Sequence, residues 1–284
     1  MSRLFSVFSW RFSKKWLYGL VSLLIALSIG LVNVMPSYGF SWLDLILRGA
    51  QVIQLSTISD KQEVQLGQEI NQEIVNSGQV RISRNQQINS YVNEIGQRLA
   101  ATSDRPELPY TFQVVEDKSI NAFATMGGFV YIHTGLMQTA DNEAELASVI
   151  GHEIGHIVGR HAIKQMRQQA IAQGVLSAAG IDRSAAVQIG VDLALRRPNS
   201  REDEFEADQF GLTNIKQAGY APIGIVSFMQ KLLEKGGSVP TFLSTHPATS
   251  ERIKALDKKL DPQTANVGNG LDNQAYRSRI ASLS

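Results

Sequence analysis

The chain has 284 residues, 43% of them hydrophobic, which suffices for one well-packed domain with appendages. Its formal charge is +1, but Arg3, Arg11, Lys14 and Lys15 stand without an acid in the first 39 residues, leaving 23 basic and 26 acidic residues elsewhere. So nearly neutral a body gives no electrostatic reason to bind nucleic acid, and the lack of cysteine excludes disulfides, thiol catalysis and thiolate-bound metal.

The first element is Trp16–Met35, an apolar run behind a basic flank. It reads as a signal peptide or an uncleaved N-terminal membrane anchor over residues 1–39, with export of residues 40–284 to a periplasmic or other extracytoplasmic space. Twenty residues are just enough to span a bilayer. Residues 40–58 read as a connector. Residues 59–260 carry the regular patterning of a domain, and 261–284 a polar tail, loosely held after Pro262.

Within the domain, Asp60–Val75 and Arg84–Ala101 have helical spacing of Val64, Ile70 and Ile74, then of Ile88, Val92, Ile95 and Leu99. The period then shortens. Tyr110–Val115, Ala122–Thr125 and Phe129–His133 read as strands, with Gly127-Gly128 as a hairpin signal. From Asp141 a helix is expected, capped by Asp141 or Asn142 and running on through Ile163 and Met166. Residues 174–199 are small, apolar and Gly-spotted, a weakly specified helical excursion. Helices are expected next at 201–218, 222–235 and 247–259. This order of helices, small sheet and helices is that of an α+β fold, mostly helical.

The helix from Asp141 contains His152-Glu153-Ile154-Gly155-His156, an HExxH motif. Residues four apart share a helix face, so both imidazoles can reach one Zn²⁺, one ion per chain. Glu153 then stands beside the metal, placed to take a proton from the water that the metal acidifies. The metzincin spacing would put a third His at position 162, which is Ala162. His161 is one residue early, and on a continuous helix it would point away from His152 and His156, as a structural or surface residue. The thermolysin-like spacing would put an acid at Val175. Instead, the acidic stretch Ser200–Asp208 offers Glu204 and Asp208 on one helical face. One of the two can bind metal while the other orients a ligand or the helix.

HEIGHIVGRHA followed by SREDEFEAD, with NAFATMGGFVYIHTGL before them and STHPATSERI after, resembles the zinc metallopeptidases of the CAAX prenyl protease, HtpX and BepA-like family. The likeness covers residues 60–260. It implies a zincin-like endopeptidase with metal ligands His152, His156 and Glu204, and Asp208 in support. It implies that Asn121, Ala122, Phe123 and Ala124 wall the substrate cleft as an edge for β-addition. It places His246 near the metal, either stabilising the oxyanion or acting as a fourth ligand in a latent enzyme, on a loop hinged at Gly236-Gly237. Arg252 would accompany it structurally. Met126 stands where the family often has Pro. One apolar segment replaces the several of the integral-membrane relatives, and the helical repeats of BepA-like members are absent. The implied substrates are therefore polypeptides, misfolded or damaged proteins of the envelope, reached from a membrane-anchored or released position. The rival expectation is a latent zinc-bound chaperone-like module, with 174–199 covering the cleft.

Overall fold

The computed structural model describes residues 52–196, 198–234, 240–247 and 250–283. The expected signal or anchor and the glycine hinge at 236–237 lie outside them. Among the described residues, no helix is long and apolar enough to cross a membrane.

Two helices open the domain after the short strand β1 (Val52–Ile53). Helix α1 (Asp60–Asn76) begins in a reciprocal capping box between Ser59 and Gln62 and buries Leu66, Ile70 and Ile74. Asn85 caps α2 (Gln86–Ala100), which buries Ile88, Val92, Ile95 and Leu99, the stripe its spacing predicts. The connector expected over 40–58 ends inside the core: Ile53, Leu55 and Ile58 are buried, and β1 pairs with β5 (Ile181–Asp182).

Strands β2 (Thr111–Val115), β3 (Ala122–Thr125) and β4 (Phe129–His133) form a sheet in the order β2-β4-β3. β4 runs parallel to β2 and antiparallel to β3. Gly127 and Gly128, at φ +78° and +97°, make the turn between β3 and β4 with backbone angles that side chains rarely adopt. β4 is buried along its whole length because both faces are covered. Val130 and Ile132 face the core shared with α2, while Phe129 and Tyr131 face a second core beneath α1. β3 is left as an edge strand of this sheet.

After a short helix α3 (Thr134–Thr139), helix α4 (Glu143–Val158) runs through the middle of the domain, capped by Asn142 and buried on nearly every side. It does not run on as expected. Gly159 ends it, Arg160 adopts a left-handed conformation at φ 53°, and α5 (His161–Ala172) starts in a new direction. The expected excursion contains β5 and α6 (Arg183–Arg196), whose Ala186, Ile189 and Val191 join the second core. Ser200 caps α7 (Arg201–Gln217), which lies along α4, followed by α8 (Ile223–Glu234), α9 (Thr241–Thr245) and α10 (Ser250–Asp257).

The tail is not loose over its described length. Helix α11 (Asn273–Arg279) buries Tyr276, whose hydroxyl donates to the Met137 carbonyl at 2.6 Å. Backbone hydrogen bonds hold the approach to it, from Ala221 N to Asn269 O at 3.1 Å and from Ala144 N to Gly270 O at 2.9 Å.

Candidate metal centre

Helices α4 and α7 cross closely enough for side chains of both to meet in one buried cluster. A Cβ on Gly155 would stand 2.5 Å from the Ala207 carbonyl oxygen, and one on Gly211 would stand 3.0 Å from the His152 nitrogen. Glycine at these contacts lets the backbones approach, and the approach sets Glu204 against His152 and His156.

His152 Nε2 and His156 Nε2 face each other at 3.1 Å. Glu204 offers Oε2 at 3.4 Å from the first and Oε1 at 3.3 Å from the second. His246, just past α9, adds Nδ1 at 3.0 Å from Glu204 Oε1 and 3.3 Å from His152 Nε2. Its backbone N–H bonds the Phe242 carbonyl at 2.7 Å and its ring stacks on Phe242. All four residues are buried, and one donor atom from each lies within 4.8 Å of the others.

The surroundings prepare these groups to be donors. Asp208 Oδ1 holds His152 Nδ1 at 3.0 Å, leaving Nε2 for the cluster. Burial opposes a charge on His152, but Asp208 and Glu204 outweigh it and push its pKa up to about 10. Burial takes His156 the other way, to about 3 despite the pull of Glu204. Burial also works against ionised Glu204, yet His246 and His152 hold its carboxyl well below the ordinary range. Arg252, expected only as a structural companion, bonds both oxygens of Asp208 at 2.7 Å and reaches Glu204 Oε2 with Nη1 at 2.5 Å.

Glu153 is fully buried beside this cluster, and among the described residues neither of its oxygens has a hydrogen-bond partner. The His246 ring stands beside it, with Nε2 at 3.4 Å from Oε1. Burial raises its pKa above the ordinary carboxylate value. An orphaned buried carboxylate is rare enough to need an explanation. Two imidazole nitrogens, an ionised carboxylate and an unpartnered carboxylate beside them fit a tetrahedral divalent ion with a reacting group at its open position.

A cleft runs from Glu153, His156 and His246 along Phe123, Ala124 and Met126. Its far wall includes Gly190, Leu193 and Ala194 of α6. Ala122 and Phe123 are buried, Ala124 is half-buried, and the Asn121 carbonyl is taken by the His133 N–H at 3.0 Å. Asn121 reaches the His246 loop through a hydrogen bond from Thr245 Oγ1 at 3.4 Å.

Two residues near the cluster carried no sequence signal of that kind. Asn199 places Nδ2 3.2 Å from His246 Nδ1 and 3.4 Å from His156 Nε2, and its own N–H bonds the Thr245 carbonyl. His161 does not point away from the cluster: its Nδ1 lies 2.8 Å from His156 Nδ1, because the left-handed turn at Arg160 redirects the chain.

The model of the family described as peptidase family M48 matches residues 86–260. A putative beta-barrel assembly-enhancing protease of Vibrio cholerae is 32% identical over 236 residues, covering 74% of this chain and 49% of that protein. The mitochondrial metalloendopeptidase OMA1 of Arabidopsis thaliana is 37% identical over 161 residues, 55% of this chain and 33% of that one. The metalloprotease LoiP of Escherichia coli is 28% identical over 256 residues, 84% of this chain and 96% of that one. The chain spans about half the length of the beta-barrel assembly-enhancing proteases it matches.

Proposed function

The chain belongs to peptidase family M48, and from that premise we propose that it is a zinc-dependent endopeptidase whose metal is held by His152, His156 and Glu204. The observation that carries this reading is the convergence of those three donors beside a buried Glu153 that has no hydrogen-bond partner among the described residues. A bound zinc ion would supply Lewis acidity, polarising the scissile carbonyl and making the attacking water more acidic. Glu153, its pKa raised by burial, takes the proton from that water and passes it to the leaving nitrogen. Asp208 keeps His152 in the tautomer that presents Nε2, and Arg252 keeps Asp208 and Glu204 ionised.

Substrate is an extended polypeptide laid along the edge of β3, with Phe123 and Ala124 lining the cleft and Asn121 and Ala122 extending its wall from just before them in the chain. His246 acts as a latch in the resting protein. Its Nδ1 is the fourth donor of the cluster, in the place that a reacting group needs. Latency is also favoured by α6, whose Gly190, Leu193 and Ala194 wall the same cleft. The name of the V. cholerae relative, a putative beta-barrel assembly-enhancing protease, ties that protein to beta-barrel assembly, and we infer misfolded or damaged envelope proteins as the substrate class of this chain. The basic flank and apolar run of residues 1–39 would export the domain and anchor it to the membrane if uncleaved.

Metal analysis with casein cleavage tests the core of this reading. Wild type should contain about one zinc per chain and cleave casein, and Glu153→Gln should keep the zinc and lose the cleavage. A protein that takes up no zinc, or a Glu153→Gln variant as active as wild type, would refute it. A periplasm-active reporter fused after Ser284 should be active, and one active only in the cytoplasm should be silent.

A further inference from the structure

The structure assigns His161 as a positioning residue that sets the tautomer and ring orientation of His156, an inference that rests on His156 being a metal ligand. An imidazole that offers Nε2 to a metal needs an acceptor for the proton on Nδ1. For His152 that acceptor is a carboxylate, Asp208 Oδ1 at 3.0 Å. For His156 it is another ring: His156 Nδ1 and His161 Nδ1 are 2.8 Å apart, and both rings are buried.

One hydrogen, and only one, can lie between two ring nitrogens at that distance. With His156 Nε2 committed to the cluster, its proton is on Nδ1, so His161 Nδ1 is bare and His161 carries its proton on Nε2. That nitrogen has an acceptor in Glu206 Oε2 at 3.1 Å, with Asp203 Oδ1 at 3.8 Å behind it. The hydrogen bonds therefore run in one direction, from His156 through His161 to a carboxylate. The acidic end of α7 thus serves both imidazoles: Asp208 directly on His152, and Glu206 through a relay on His156.

The backbone is shaped for this contact. Among the described residues, Arg160 is the one non-glycine at positive φ, and its left-handed turn carries His161 off the path of α4. The turn is tied down by Arg160 Nη2, which donates to the Ile58 carbonyl at 2.8 Å and lies 3.0 Å from Glu63 Oε2. A Cβ on Gly159 would stand 2.3 Å from His161 Nε2, so the ring occupies space that only glycine leaves. His161, Asp203 and Glu206 also form a compact trio of metal-binding types. A second ion there is disfavoured, because Asp203 Oδ1 already holds the Lys164 ammonium at 2.5 Å.

The test is zinc competition against a chromophoric chelator, using the full chain as wild type, His161→Phe and His161→Asn, with thermal melting as a fold check. His161→Phe fills the site without an acceptor and should weaken zinc binding about tenfold to a hundredfold. His161→Asn keeps an oxygen near the position of Nδ1 and should stay within a few-fold of wild type. Unchanged affinity in His161→Phe overturns the assignment, as does a second zinc equivalent in wild type that both variants lose. Wild type that binds no zinc overturns the metal reading itself. Should His161→Phe fail to fold, ¹⁵N spectra of zinc-loaded wild type decide instead. A proton on His161 Nε2 and on His156 Nδ1 supports the relay, and a proton on His161 Nδ1 overturns it.

Discussion

Arg252 grips Asp208 through two hydrogen bonds of 2.7 Å, Nε to Oδ2 and Nη2 to Oδ1, with both side chains almost wholly buried. The fork geometry is one that lysine cannot reproduce. Through Asp208 the grip reaches His152, and through Nη1 it reaches Glu204.

Removing the guanidinium takes the arginine from two buried carboxylates and leaves them, among the described residues, only imidazole partners. Arg252→Met should therefore lower unfolding free energy by about 3–5 kcal/mol, read from urea denaturation. Arg252→Lys should recover only part of that. A loss below about 1 kcal/mol would show that the pair is not needed to hold α10 against α7.

Glu153→Gln should reduce casein turnover by about 10²–10⁴-fold, the range for losing a general base. Zinc content and melting temperature should stay near wild type, because among the described residues none hydrogen-bonds the carboxylate that changes. Metal loss in this variant would mean that Glu153 is a ligand.

His246→Ala separates a latch from a transition-state donor. A latch predicts a rise in basal cleavage and self-digestion on storage. Loss of an oxyanion donor predicts a fall of about 10²–10³-fold instead. Basal peptidase assays of the two proteins decide between them, and a fall of that size rejects the latch.

Much of this arrangement could be read from local pattern. HExxH lies in a helix whose apolar residues and Asn142 cap announce it, and the Gly127-Gly128 hairpin falls where the period changes. Contacts between distant segments could not be read so. The parallel pairing of β2 with β4 skips a strand, and no residue in either signals it. The break at Arg160 was hidden because Ile163 and Met166 continue the apolar period of α4, and arginine is not a residue that advertises a left-handed turn. The polar tail gave no sign of docking, since its order depends on single anchors such as Tyr276.

Gly155→Ala should push α7 away from α4, since the new methyl would meet the Ala207 carbonyl oxygen at 2.5 Å. Overpacking of this kind costs about 1–3 kcal/mol, and zinc affinity should fall with it because Glu204 moves. Zinc titration with thermal melting checks both, and unchanged affinity would show that the helices can part without disturbing the site.

His133 predicts a pH effect away from the metal. Burial lowers its pKa below 6.5, Asp117 opposing in part. The unfolded chain then binds a proton more readily than the folded one as pH falls below 6.5, so this contribution to stability is present above 6.5 and is lost towards the lower folded pKa. His133→Gln should remove that component, seen as a smaller slope of stability against pH as the pH falls below 6.5. Parallel curves for the two proteins would reject it.

The donors of the cluster are separated along the chain, His152 and His246 by 94 residues. No nascent or truncated chain ending before residue 204 contains the three donors His152, His156 and Glu204 together, and bringing them together requires closure of a long loop that local helices do not assist. Assembly of the centre therefore waits on the packing of α7 against α4, which brings Glu204 to the two histidines. A polypeptide leaving the ribosome or a translocation pore can form α4 early, yet still lack the hydrolytic machinery that would threaten its neighbours or itself. Timing, set by where the chain places these residues, acts as a safeguard that needs no separate inhibitor.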